Sequence, residues 1–183
     1  MIALITLVFN MVGCSTVPAT ATTPSQSLST SKPTSVTTTS NSPDVTVSIS
    51  PVDPTVKSGD NFTMDILIDS KVILRGAQCA LVFDPALMKC DRVVEGTFFK
   101  NWADANGSST VVIPQPVIDN VTGNVSDIGI AIMGTKGGGA KDNGVFCTYH
   151  FTALADGVAK PTLSNVLLSD ESGKVFPATV SSK

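Results

Sequence analysis

Val45-Thr46-Val47-Ser48-Ile49-Ser50 and, after Lys57-Ser58-Gly59-Asp60, Asn61-Phe62-Thr63-Met64-Asp65-Ile66-Leu67-Ile68-Asp69 are the stretches that decide the fold. In the first, Val45, Val47 and Ile49 alternate with hydroxyl side chains. In the second, Phe62, Met64, Ile66 and Ile68 alternate with Thr63, Asp65, Leu67 and Asp69. A period of two sends successive side chains to opposite faces, so both runs predict half-buried strands. The Ser-Gly-Asp between them is turn chemistry.

Outward from there the pattern repeats. A strand is predicted at 76–83, with Ala77, Cys79, Leu81 and Phe83 on one side, and Asp84-Pro85 ends it. Further strands read at 88–95, 109–118, 124–133, 144–154, 161–168 and 174–181. Asp119-Asn120, Gly123-Asn124, Asp142-Asn143-Gly144, Asp156-Gly157 and Asp170-Glu171-Ser172-Gly173 punctuate them. No window of a dozen residues sustains a period of 3.6. Eight or nine short strands with frequent turns predict an all-β sandwich of jelly-roll topology over residues 44–183.

The 43 residues before this domain read differently. Residues 1–13, MIALITLVFNMVG, are uncharged and apolar. A bilayer span needs about 20 such residues, so this stretch predicts the apolar part of a signal peptide. Met11-Val12-Gly13-Cys14 closes it and resembles the lipobox of bacterial lipoproteins, with Met11 where Leu is usual and no basic residues ahead of the apolar run. The resemblance implies cleavage before Cys14, acylation of Cys14 and a membrane anchor. Residues 15–43 hold 21 Ser, Thr or Pro among 29, with Lys32 the one charge. That composition predicts a disordered tether, 14–43 including the lipidated cysteine. A coil of that length reaches about 30 Å on average. Together these features predict an exported lipoprotein displayed at the cell surface.

The bulk numbers fit one domain with appendages. The chain has 183 residues, a formal net charge of −3, 15% charged and 42% hydrophobic residues. Nothing here supplies the basic stripe that nucleic-acid binding requires.

Three segments, taken in order, resemble the cohesin domain, a nine-stranded jelly roll with which bacterial scaffold proteins capture dockerin modules. They are Val56-Lys57-Ser58-Gly59-Asp60-Asn61-Phe62, the run from Gly76 to Leu87 ending Phe83-Asp84-Pro85-Ala86-Leu87, and Gly144-Val145-Phe146 continuing to Ala153. The similarity spans about 45–181. It implies a non-catalytic module that binds a dockerin-like protein in an extracellular, polysaccharide-related assembly. The family's Asn-x-Asp pair on the third strand falls here on Gly76 and Gln78, and the acidic position after the sixth strand falls on Gly134. The polar recognition set therefore differs, and the implied partner-binding surface comprises Gly76, Gln78, Ala80, Val82 and Gly134. Carbohydrate-binding sandwiches are the alternative. The aromatic platform such a module would need is confined to Phe98, Phe99 and Trp102.

Catalytic chemistry is sparse. His150 is the single histidine, and its alternation with Thr148 and Thr152 puts it on the polar face, away from Cys147. A lone histidine supports neither a triad nor a zinc set. Most of the Asp residues sit in turns, where backbone chemistry explains them. Trp102 to Gly107 has a trace of a calcium loop but lacks its further carboxylates and closing Glu. Gly137-Gly138-Gly139 lacks the Lys-Ser/Thr of a phosphate loop and predicts a flexible hairpin connection. Four Asn-x-Ser/Thr sequons start at Asn61, Asn106, Asn120 and Asn124, which a Ser/Thr-rich chain produces by coincidence. Cys79, Cys90 and Cys147 fall on apolar registers. An odd number favours small buried hydrophobes over a disulfide framework, although the cohesin-like order would place Cys90 and Cys147 on neighbouring strands. No cofactor or metal is expected, and no enzymatic activity.

Overall fold

The structure, a computed structural model, describes residues 44–182. The predicted signal peptide, Cys14 and the tether lie outside the described residues. Among the described residues, thirteen strands and one helix follow in chain order: β1 Val45–Ser50, β2 Thr55–Val56, β3 Asn61–Leu74, β4 Gly76–Val82, β5 Met88–Glu95, α1 Thr97–Ala105, β6 Ser109–Val112, β7 Ile118–Asp119, β8 Asn124–Met133, β9 Ala140–Ala153, β10 Gly157–Val158, β11 Thr162–Ser169, β12 Val175–Phe176 and β13 Thr179–Ser182.

Two sheets make the sandwich. The first runs β13-β1-β3-β9-β5, and the second β12-β11-β4-β8-β6 with β7 alongside β8. A ribbon of β2 and β10 stands apart. Among the described residues all pairings are antiparallel except β1 with β13, which are parallel. The inward positions of both sheets form one buried cluster. Val47, Ile66 and Ile68 come from the first sheet, and Cys79, Leu81, Ile128 and Ile130 from the second. Tyr149 and Phe151 are among its largest side chains, both on β9. Phe151 stacks on Phe62 at 5.4 Å between centroids and meets Phe83 edge-on at 5.5 Å.

Two runs predicted as single strands are divided. The stretch 109–118 splits into β6 and β7 because Pro114 and Pro116 carry no N–H for the ladder. The stretch 174–181 splits at Pro177. β12 then joins the second sheet and β13 the first. β3 and β9 are longer than predicted, and each contains bulges where they pair.

Helix α1 has no counterpart in the sequence pattern. It spans nine residues, too few for a dozen-residue window, yet Phe98, Phe99, Trp102 and Ala103 share one side of it. Phe98, Phe99 and Ala103 are buried, and Lys100 and Asp104 pair at 3.1 Å on the other side. Gly96 precedes the helix where a Cβ would lie 2.2 Å from the Val145 carbonyl oxygen. Only glycine fits that approach.

All three described cysteines are free and buried. β5 and β9 are neighbours, but Cys90 lies opposite Phe151 and Cys147 opposite Glu95, so the two thiols are out of register. Burial, with Asp91 nearby, pushes the Cys90 thiol up to about 11, and burial raises Cys147 well above its ordinary range. At neutral pH these are thiols, not thiolate nucleophiles.

Candidate functional site

The outer face of the second sheet is built by alternation. Cys79 and Leu81 point inward at 1% and 0% exposure, which turns Gly76, Gln78, Ala80 and Val82 of β4 outward. Register places Ser164, Leu167 and Ser169 of β11 beside Ala80, Gln78 and Gly76, and Gly129 and Ala131 of β8 on the other flank. Val111 of β6 extends the face past Ala131. Val82, Leu167, Val175, Met133 and Ile113 are exposed large aliphatics on or bordering it.

Ala80 departs from the expected open surface, for it is buried at 5% exposure. Both neighbouring strands bulge beside it. Ser126 and Asp127 together oppose Ala80 on one side, and Asn165 and Val166 interrupt the register on the other. Gly76 and Gln78 are half-buried, and Val82 and Gly134 are exposed. Gly134 sits just beyond β8 with φ of 138°, so it serves the backbone path of the following loop.

Asp127 takes a side of this sheet that the sequence pattern does not place. Val125 and Ile128 on either side are buried in the core, so Ser126 and Asp127 lie on the outer side of the sheet. Among the described residues, the outward strand positions of β11, β4, β8 and β6 carry one charge, and it is Asp127. Its Oδ1 is shielded from solvent and accepts no hydrogen bond. Period-two reading hides such a residue, because only the bulge reveals which side it takes.

Two depressions share Gly76, Ala131 and Ser169. One, of about 310 Å³, is floored by Gly76, Gly129 and Ala131 and rimmed by Ile113, Leu167 and Val175. The other, of about 490 Å³, is lined by Arg75, Lys136, Asp170 and Glu171. Arg75 is already engaged there. Its guanidinium donates to the carbonyls of Gly134 at 3.1 Å, Gly138 at 3.0 Å and Lys136. Glu171 accepts from the Gly138 N–H at 2.9 Å. The glycine-rich connection is therefore pinned at both ends, not a free hairpin link.

Phe98, Phe99 and Trp102 do not form one open aromatic surface. Phe98 and Phe99 are buried beneath α1 and cannot meet a sugar. Trp102 packs against the core, with the Arg75 guanidinium 5.7 Å from its ring centre and a Cβ on Gly138 falling 3.3 Å from the ring. Arg75→Ala is expected to lower stability by about 1–3 kcal/mol through the lost charged hydrogen bonds. It should also shift the emission of Trp102, the one tryptophan of the chain, to longer wavelength. An unchanged spectrum would show that Arg75 does not hold the loop over the ring.

On the opposite sheet, His150 lies on the outer side as expected. Its Nδ1 is 3.1 Å from the Arg92 guanidinium, and Thr152 donates to Asp91 at 2.6 Å. Among the described residues no group of three His, Cys, Asp or Glu side chains is placed to hold a metal.

No family model matches the sequence, and no curated protein matches it significantly. Solved structures do. A type II cohesin–X-dockerin complex from Acetivibrio cellulolyticus matches with a TM-score of 0.61 at 12% identity, over 75% of this chain and 95% of that one. A type II cohesin domain from the cellulosome of the same organism matches with a TM-score of 0.57 at 16% identity, over 77% and 92%. The fold is the cohesin fold. A non-cellulosomal cohesin from the archaeon Archaeoglobus fulgidus adds a TM-score of 0.55 at 14% identity, over 75% and 86%. The cohesin fold thus covers the described sandwich, while the outer-face residues of this chain are its own.

Proposed function

We propose that the chain is a non-catalytic cohesin-like module that captures a protein partner on the outer face of its second sheet. The observation that carries this reading is the composition of that face. Exposed Val82, Leu167, Val175 and Met133 stand among small residues, with Asp127 the one charge on the described outward strand positions, a surface that desolvates at low cost when packed. Similar structures add support, since one is a cohesin in complex with a dockerin and another a cohesin–X-dockerin complex. With Phe98 and Phe99 buried and Trp102 covered on one side, these three positions offer a polysaccharide no ring platform.

The test is a capture experiment with the immobilised chain, its Val82→Arg variant and its Trp102→Ala variant, beside a glycan array. A protein held by wild type and Trp102→Ala but not by Val82→Arg is expected. Glycan binding that Trp102→Ala abolishes and Val82→Arg leaves intact would overturn the reading.

The site of display is part of the proposal. Gly13-Cys14 closing an apolar run supports a lipid-anchored, exported protein held at the cell surface on its Ser/Thr/Pro tether. Labelled palmitate fed to a bacterial expression host should enter wild type and not Cys14→Ser. Equal label in both, or none in either, would remove the anchor.

A further inference from the structure

We propose a second binding site, for one carboxylated sugar residue, on the outer face of the first sheet, in the hollow where Arg92 and His150 meet. It lies on the sheet opposite the capture face and does not depend on that reading. The hollow has a volume of about 300 Å³. Small-molecule pockets run from about 300 to 1,000 Å³, so this one has room for a single ring. Register builds it. Thr63 of β3, His150 of β9 and Arg92 of β5 are successive cross-strand partners and stand in one row across the face, with strands about 4.8 Å apart. The next row is Asn61, Thr152 and Lys89. The irregularity of β5 between Cys90 and Arg92 brings Asp91 out beside Thr152.

The free polar groups of this hollow are mostly donors. Arginine has no acceptor, so Arg92 donates in its 3.1 Å contact with His150 Nδ1. The neutral imidazole therefore carries its proton on Nε2, which has no partner among the described residues. Asn61 accepts from Thr152 at 3.0 Å through its Oδ1, which leaves its amide N–H groups to the hollow. Phe62, half-buried and stacked on Phe151, supplies an apolar wall for the C–H face of a ring.

Charge selects an anion. Asp91 is the one carboxylate of the lining, and it is already engaged: Thr152 donates to it at 2.6 Å, and the Lys89 ammonium lies 3.1 Å away. Lys89 balances its charge. Arg92 forms no ion pair among the described residues, so its guanidinium is the surplus charge, and a planar carboxylate takes two parallel bonds from it. An acidic sugar matches the rest of the lining better than an acidic peptide does. Its hydroxyl and ring oxygens offer acceptors to His150 and Asn61 while the carboxylate sits on Arg92. A carboxylate on a flexible peptide stem serves Arg92 alone. An extended peptide also gains no main-chain hydrogen bonds there, because the β3-β9 and β9-β5 ladders are already formed.

Titration of the full-length chain with trigalacturonate at constant pH tests this, read by the NMR signals of the imidazole of His150, the single histidine. Those signals are expected to shift saturably with trigalacturonate and to stay in place with its uncharged methyl ester. Arg92→Gln keeps a donor for His150 and removes the charge, and should weaken binding about tenfold. Asn61→Ala should weaken it by a smaller factor. Both side chains are exposed, and unchanged melting of the variants separates loss of binding from loss of fold. Val82→Arg, on the other sheet, should leave the titration unchanged, so this site and the capture face fail independently. No saturable shift with trigalacturonate, or an equal response to the methyl ester, would overturn the site. A triglutamate peptide that binds as tightly would overturn the sugar as its ligand.

Discussion

Val82→Arg is expected to weaken the captured protein at least tenfold while leaving the melting temperature within about a degree of wild type. Val82 is 43% exposed at the end of β4, with Asn124 and Thr162 as its cross-strand neighbours. An outward arginine in the unbound chain meets water and displaces nothing in the core, so folding is unaffected. In a complex the same guanidinium is stripped of water, and no anion stands among its cross-strand neighbours Asn124 and Thr162. Tenfold corresponds to about 1.4 kcal/mol, well below the cost of leaving a buried charge unpaired. Titration calorimetry of the captured partner against both chains, with circular-dichroism melts alongside, reads the two quantities separately. Undiminished affinity would place the interface elsewhere on the molecule.

Phe151→Ala should have the largest effect on stability, about 3–5 kcal/mol. Phe151 is 1% exposed on β9, between Phe62 on β3 and Phe83 beyond β4, with the Tyr149 ring 6.3 Å away. Truncation leaves a void where two sheets meet, and the ring contacts on both sides are lost together. Against a typical total of about 5–15 kcal/mol, the variant is expected to melt roughly 10–20 °C lower, at the few degrees per kcal/mol usual for a domain of this size. A shift of only a degree or two would mean that the core relaxes around the truncated side chain far more than its packing indicates.

How far the sequence tells these things depends on the residue. Alternation is a local signal, so Cys79, Leu81 and Phe83 read correctly as core, and Gln78 and Val82 as outward. It places the strand boundaries at 88–95 and 124–133 without error. It cannot place Ala80, whose burial comes from bulges in two other strands. The same bulge decides the side taken by Asp127, so the one charge on the face stays hidden. Phe98 and Phe99 read as a loop because a nine-residue helix is too short to show a sustained period, although 98, 99, 102 and 103 spell one of its sides. Arg75 has no local signature at all. Its role exists only because the chain returns with Gly134, Lys136 and Gly138 about sixty residues later.

The parallel pairing of β1 with β13 bears on how the sandwich carries load. Thr46 lies opposite Thr179 and Ile49 opposite Ser182, so the described segment enters at one end of this pair and leaves at the other. Tension between those two ends pulls the strands past each other lengthwise. The ladder is then loaded in shear, with its bonds sharing the force, and does not open one bond at a time as a zipper would. Forced unfolding is governed by the height of the barrier to rupture, not by equilibrium stability. A module pulled through both ends of this pair would therefore hold under drag better than its melting temperature suggests.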